Sequence, residues 1–132
     1  MNAEERAALV IYRCQRAWST FEEAEALVRE EFWHAASNRL YYAVYYAASA
    51  VLATCDQAPK THKGVRIAIL KLKAEGTLTN DVNLHIYHLL FELRHSGDYD
   101  DFVHLEAEKV LPLLPPARDI IDALSRFANS RI

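Results

Sequence analysis

Apolar residues recur at intervals of three and four over five stretches of the chain, which is the spacing of one buried face of an α-helix. The pattern predicts helices over about 3–29, 31–54, 62–75, 80–96 and 104–128. A single helix of about fifty residues is implausible in a globular domain, so we expect a tight turn near 29–31. Because the connections are mostly short and favour antiparallel neighbours, the chain is predicted to be all-α, an up-down helical bundle of about five helices.

Cap and turn residues refine these boundaries. Thr61 and Thr79 suit the N-caps of the third and fourth helices, because a threonine hydroxyl can accept a hydrogen bond from a free backbone N–H. Gly76 and Gly97 suit the left-handed position that follows a helix. Three prolines, at 112, 115 and 116, must kink or split the last helical stretch.

Composition narrows the class of protein. A chain of 132 residues can bury a sizeable core, and we treat residues 1–132 as one domain. The net charge of −3 produces no overall positive potential that would attract nucleic acid, although a local basic cleft is compatible with it. Only two cysteines are present, and we find neither a signal peptide nor an apolar run of about 18 residues. We therefore expect a cytoplasmic protein with reduced thiols and no membrane association.

The second helix has two different sides when its residues are placed at about 100° per residue. One side is apolar and rich in alanine, which lets another helix approach closely. The opposite side is polar and aromatic: His34, Asn38, Tyr42, Tyr45 and Ser49. Two interpretations stay open for that side. It packs half-buried on a neighbouring helix, or it lines a cleft or subunit interface, where tyrosine can bury its ring and still offer a hydroxyl.

The fourth helix carries more apolar surface than one bundle position needs. Beside its main apolar stripe, Leu84, Tyr87 and Phe91 form a second flank next to Arg94, which suggests a dimer surface.

Histidines on the fourth helix raise the possibility of a metal site. His85, His88, Glu92 and His95 share a third stripe, and imidazole and carboxylate ligands could project together from it. The segments 31–34 and 92–95 also both read Glu-x-x-His, the pattern of di-iron bundles. In an up-down bundle the second and fourth helices run parallel, which would place these motifs at opposite ends, about 25 Å apart. We therefore favour a solvated polar face and expect no metal and no other cofactor.

The end of the fourth helix, "RHSGDYDD", concentrates reactive side chains. A cation in the last turn favours the helix dipole, and Arg94 could pair with Asp98 as a structural clasp, with Tyr99 folded back on the bundle. Arg94 could equally be a functional arginine, and the clasp could present it at a cleft.

Three stretches together resemble a known family: "NRLYYAVYYAASAVL", "KTHKGV" and "RHSGDYDD". They recur in this order in small stand-alone HEPN-domain proteins of bacteria and archaea with an R-x-x-x-D-Y signature. The resemblance implies a helical bundle that dimerises, with its functional cleft between or beside the subunits. Many HEPN proteins are metal-independent endoribonucleases of toxin–antitoxin and defence systems, often encoded beside a minimal nucleotidyltransferase that acts as antitoxin.

This chain departs from the ribonuclease pattern of the family at one position. Those members carry an arginine, usually a polar residue after it, and then a histidine with four to six residues in between. Arg94 and His95 match the first two positions, whereas Tyr99, Asp100 and Asp101 occupy the places of the closing histidine. A tyrosine with its usual pKa near 10 is a poor base at neutral pH.

Three hypotheses remain open, and the weakest of them is a metal-binding helical bundle that uses the histidine stripe of the fourth helix. In the first, the protein is a toxin-like nuclease or nucleotide-binding protein in which Arg94 contacts phosphate and His95 or Tyr99 assists. In the second, it is a non-catalytic homodimer that docks on a nucleotidyltransferase encoded by an adjacent gene and binds nucleotide or RNA phosphate at the Arg94 corner. The missing histidine favours the second.

Further basic residues could contact phosphate in either case. Arg39 either binds phosphate or pairs with a buried carboxylate. The start of the third helix offers free N–H groups beside Lys60, His62 and Lys63, and Arg66 adds to this basic cluster.

Overall fold

A computed structural model describes residues 1–99 and 104–132. These residues form α1 (Ala3–Arg29), α2 (Trp33–Thr54), α3 (His62–Ala74), α4 (Leu84–Tyr99), the short α5 (Ala107–Val110) and α6 (Leu114–Asn129), with a 3-10 turn at Leu111–Leu113. The predicted all-α bundle is confirmed. No helix in the described ranges combines the length and the apolar character needed to cross a membrane.

Helices α1, α2, α4 and α6 form an up-down bundle. Arg6 at the start of α1 pairs with Asp56 just after α2, so these two helices are antiparallel. The first turn of α2 meets the last turn of α4, where His34 Nδ1 lies 3.1 Å from the Gly97 carbonyl oxygen. At the end of α1, the Glu25 carboxylate accepts a hydrogen bond from Arg118 near the start of α6, at 2.9 Å.

The expectation that the second and fourth helices run parallel is therefore wrong. It assumed that every helix takes one position in the bundle. Helix α3 does not, because it begins beside the middle of α2, where the His62 ring stacks on Tyr45 with centroids 4.7 Å apart. Helix α4 then takes the next bundle position and runs antiparallel to α2.

Helix α2 lies at the centre of the molecule and contacts α1, α3, α4 and α6. Its predicted apolar face is confirmed, since Ala36, Leu40, Ala43, Ala47 and Val51 have no exposed surface. Alanines at this face allow close packing between helices, which gives the short chain a continuous core.

Several predicted boundaries are also confirmed. The chain turns at residues 30–32, where Glu31 adopts a left-handed φ of 60°. The Thr61 hydroxyl accepts a hydrogen bond from the Gly64 N–H at 2.9 Å and caps α3. Gly76 follows α3 with a φ of 79°. The prolines divide the last stretch as expected, and the 3-10 turn separates α5 from α6.

The predicted start of the fourth helix is wrong. Thr79 does not cap it, because its hydroxyl bonds the nearby Asp81 carboxylate instead. The helix begins at Leu84, and the Asn83 side-chain oxygen accepts the His85 N–H at 3.1 Å.

Gly97 does not stop the fourth helix, which continues through it to Tyr99. A Cβ atom at Gly97 would lie 2.8 Å from Leu105 Cδ1 and 3.2 Å from His34 Nδ1. Close packing, rather than a left-handed turn, therefore favours glycine at this position.

His34 joins three parts of the chain at this point. Its Nδ1 lies 3.1 Å from the Gly97 carbonyl, and its Nε2 accepts the Leu105 N–H at 3.2 Å. A neutral imidazole with its proton on Nδ1 satisfies both contacts.

The second apolar flank of α4 belongs to the core. Leu84 and Tyr87 are only 5% and 1% exposed, and Phe91 is half-buried. The interpretation of this flank as a dimer surface is therefore wrong, because the chain itself covers most of it.

Candidate functional site

The Arg94 guanidinium lies at the centre of a cluster of aromatic rings. Its carbon is 5.2 Å from the ring centroid of Tyr41, 5.3 Å from that of Tyr42 and 5.8 Å from that of Tyr99. A cation at these distances is attracted by the negative faces of the rings. The side chain is only 13% exposed, so the surrounding rings fix its position.

Asp98 ties this arginine to α2. Its Oδ2 lies 3.3 Å from Arg94 Nε, which confirms that the proposed ion pair is present. The same oxygen accepts a hydrogen bond from Asn38 Nδ2 at 3.3 Å. The buried Nε itself makes no well-directed hydrogen bond to another described residue. The contact with Asp98 is therefore an electrostatic attraction, which leaves part of the hydrogen-bonding capacity of Arg94 unused among the described residues.

Tyr41 is the central residue that the sequence analysis missed. It is 1% exposed, and its hydroxyl lies 2.9 Å from His62 Nδ1. Burial raises the pKa of Tyr41 to about 12, partly offset by the positive charge of Arg94. It therefore stays protonated at neutral pH and can donate to the imidazole. The only signal for it was its place beside Tyr42 in the "NRLYYA" motif.

His62 brings α3 into the cluster. Its half-buried ring stacks against aromatic side chains of α2, 4.7 Å from Tyr45 and 5.7 Å from Tyr41. Burial lowers the pKa of His62, and the nearby Arg94 charge lowers it further. The imidazole is therefore mainly neutral at pH 7. Its second nitrogen is the one left to contact a ligand.

His95 and Tyr99 form the exposed edge of the site. The His95 ring stacks on Phe91 at 6.0 Å and lies 5.0 Å from the Tyr99 ring. Tyr99 is 62% exposed, so the idea that it folds back on the bundle is wrong. Its ring instead lies 5.8 Å from the Arg94 guanidinium carbon and 5.0 Å from the His95 ring.

The other predicted basic residues divide into two groups. Arg39 adjoins the cluster: its guanidinium lies 5.2 Å from the Tyr42 ring and donates to the Asn38 side-chain oxygen at 2.9 and 3.2 Å. It pairs with no described carboxylate, so the structure does not bear out the buried ion pair expected for it. Lys60 and Lys63 are exposed and form no salt bridge within residues 1–99 and 104–132.

The histidine stripe of α4 does not assemble a metal site in the part of the chain that the structure describes, where no three His, Cys, Asp or Glu side chains converge. His88 instead lies 3.0 Å from Glu92, one turn along the same helix. The Glu-x-x-His segment at 31–34 does not offer a metal ligand either, because both ring nitrogens of His34 contact the backbone.

Comparison with known proteins identifies the family. A family model of the HEPN domain matches residues 10–127, which is most of the chain. The chain belongs to the HEPN family. A UPF0332 protein of Thermotoga maritima is 33% identical over 130 residues, covering 96% of this chain and 95% of that protein. A Methanocaldococcus jannaschii protein named "Putative toxin" is 26% identical over 121 residues, covering 89% of this chain and 80% of that protein.

The HEPN assignment confirms the resemblance drawn from three separate motifs, and the structure shows what those motifs have in common. Asn38 from the first, His62 from the second and Arg94 from the third meet in one cluster. Of the places where a HEPN ribonuclease carries its closing histidine, Tyr99 adjoins this cluster. Asp100 and Asp101 lie outside the described residues.

Proposed function

We propose that this protein is the HEPN component of a toxin–antitoxin-like or defence pair. In this proposal it forms a homodimer, docks on a minimal nucleotidyltransferase from an adjacent gene, and binds nucleotide or RNA phosphate at the Arg94 corner. The archaeal relative's name supports a toxin-like setting. The HEPN family supports the pairing with a nucleotidyltransferase, as the resemblance implied.

One observation carries the phosphate site. Arg94 is 13% exposed and held over tyrosine rings, with one carboxylate beside it. Arginine presents a planar set of donors that suits phosphate, and a guanidinium already fixed by its neighbours loses little freedom on binding. Neutral His62 adds a possible hydrogen-bond donor beside that charge.

Binding of a nucleotide or short RNA tests this site. Arg94→Gln should weaken binding at least tenfold, because a charge-assisted contact contributes about 1.5–3 kcal/mol. Arg118→Gln is the matched control, because Arg118 pairs with Glu25 away from the corner. Equal loss in both variants would contradict a specific role for Arg94.

Co-expression with the product of the adjacent gene tests the pairing. We expect a stable complex in gel filtration with light scattering, and a HEPN dimer when the chain is alone. Tyr99→Ala removes the most exposed ring of the corner and should weaken the complex if the corner shapes the interface. Separate elution of the two proteins would refute the pairing.

A second candidate function is metal-independent RNA cleavage by Arg94 with His95 or Tyr99. The observation in its favour is that the Tyr99 ring lies near both other groups, 5.0 Å from the His95 ring. Such a reaction needs an acceptor for the 2′-hydroxyl proton and a cation for the charge on the phosphorane. His95 would accept the 2′-hydroxyl proton as the 2′-oxygen attacks phosphorus, and Arg94 would be the cation. The P–O5′ bond would then break, with a proton from solvent going to the departing 5′-oxygen.

This candidate predicts growth arrest on expression and RNA cleavage in the presence of EDTA. Arg94→Ala and His95→Asn should each abolish cleavage while the fold is retained, and His85→Asn on the same helix should not. Intact RNA together with harmless expression would exclude it.

A further inference from the structure

A line of arginine and tyrosine side chains leads away from the Arg94 corner. We call it the arginine–tyrosine tract, and its members are Arg94, Arg39, Tyr42, Tyr46, Arg16 and Tyr12. It starts on α4, crosses α2 and ends on α1.

Each step of the tract is a direct contact. The Tyr42 ring lies near both Arg39 and Arg94, and its centroid is 6.2 Å from that of Tyr46. The Arg16 guanidinium lies 4.9 Å from the Tyr46 centroid and 3.3 Å from its hydroxyl. Arg16 also lies 3.3 Å from the Tyr12 hydroxyl, and Tyr12 is 56% exposed.

Two of the three arginines of this tract form no ion pair among the described residues. Arg16 donates to two tyrosine hydroxyls and Arg39 to an amide oxygen, and neither pairs with a described carboxylate. The third arginine, Arg94, lies 3.3 Å from the Asp98 carboxylate.

These side chains fit a ligand with both negative charges and flat faces. Aromatic rings bind bases by stacking and arginines bind phosphates, a combination typical of surfaces for single strands. A duplex fits less well, because its bases are already stacked on one another. From Arg39 to Tyr46 the tract follows α2 for about 10 Å, which is roughly three times the axial rise of about 3.4 Å per nucleotide along one stacked strand.

We propose that the arginine–tyrosine tract binds single-stranded RNA, which continues from the phosphate contact at Arg94 across α2 to Arg16 and Tyr12 on α1. This inference rests on the proposed phosphate site at Arg94 and extends it. It names a polynucleotide, rather than a mononucleotide, as the ligand.

Fluorescence anisotropy with a labelled oligouridylate of about ten nucleotides tests the tract, with a labelled dinucleotide and a duplex as comparison probes. Tyr12→Ala should weaken decamer binding at least fivefold, because stacking contributes about 1–3 kcal/mol per base. Arg16→Gln should also weaken it and should lower the slope of log K against log salt by about 0.7. Neither change should alter dinucleotide binding. Arg94→Gln should weaken both probes, and Arg118→Gln should weaken neither.

The outcomes separate the two proposals. If Arg94→Gln weakens RNA binding while the Arg16 and Tyr12 variants bind the decamer like wild type, the proposal that the tract binds RNA is wrong and the proposed phosphate site at Arg94 is retained. If wild type binds neither probe, both are wrong. If the duplex binds as tightly as the single strand, the surface does not select single strands. If the tract variants leave RNA affinity unchanged but alter the mass in sedimentation, the surface is a subunit interface instead. Circular dichroism checks that each variant is folded.

Discussion

The packing around Gly97 makes a quantitative prediction about the stability of the corner. In Gly97→Ala the new methyl group would meet Leu105 Cδ1 at 2.8 Å and His34 Nδ1 at 3.2 Å. Leu105 is 4% exposed, and His34 is held by two contacts to the backbone. Overpacking of this kind costs about 1–3 kcal/mol. Helix propensity offsets about 1 kcal/mol, because alanine is favoured over glycine within a helix. We therefore expect a net loss of about 1 kcal/mol.

A double-mutant cycle with Leu105→Ala isolates the steric part. Leu105→Ala alone should destabilise by about 2–5 kcal/mol, since it removes a buried leucine side chain. In that background the contact with Leu105 Cδ1 is gone and the longer contact with His34 remains, so Gly97→Ala should become neutral or stabilising. The expected coupling is about 1–2 kcal/mol.

Urea unfolding monitored by circular dichroism measures all four proteins. An equal cost of Gly97→Ala in both backgrounds would refute the packing argument. That result would instead match a glycine required for a left-handed conformation, because such a requirement does not depend on Leu105.

Three further predictions concern other parts of the chain. Glu31→Gly should raise the free energy of unfolding by up to about 1 kcal/mol, because a non-glycine residue with a φ of 60° is strained. Glu30 has an ordinary φ of −90°, so Glu30→Gly should not stabilise the protein in the same denaturation assay. His34→Ala should cost about 1–3 kcal/mol, because it leaves the Leu105 N–H without its acceptor, whereas the exposed His85→Ala should change the melting temperature little. Because the pKa of His62 is lowered in the folded protein, the unfolded state binds a proton at His62 more readily than the folded state does. The contribution of His62 to the free energy of unfolding is therefore present above pH 6.5 and is lost as the pH falls below that value. His62→Gln should therefore flatten this part of the stability curve, and an unchanged pH dependence would count against the buried neutral imidazole.

Local sequence patterns predicted the helices well because burial follows the helical repeat. Thr61 and Gly76 were identified correctly, since each acts on its immediate neighbours. Gly97 was misread for the opposite reason. A glycine near the end of an apolar repeat fits a helix stop, and only the approach of Leu105 and His34 shows why it lies within the helix.

The candidate site was predicted in part. Arg94 and Asp98 are one turn apart on a helix, so spacing alone was enough to suggest their ion pair. Tyr41 escaped notice because it lies between the two faces assigned to α2. Its burial depends on α3 and α4, which contribute His62 and Tyr87 around it. The direction of α4 likewise depended on α3 lying outside the four-helix arrangement, which no local pattern indicates.

The central position of α2 has a practical consequence for finding ligands. This helix supplies the alanine face of the core and also Asn38, Arg39 and Tyr42 of the site, so the site and the core should unfold together. A compound bound there stabilises the whole domain through mass action, by about 2.7 kcal/mol at a hundredfold excess over its Kd. This corresponds to a rise of roughly 10 °C in Tm for a domain of this size. Thermal-shift screening of nucleotides and short RNAs can therefore reveal the natural ligand without any assumption about catalysis.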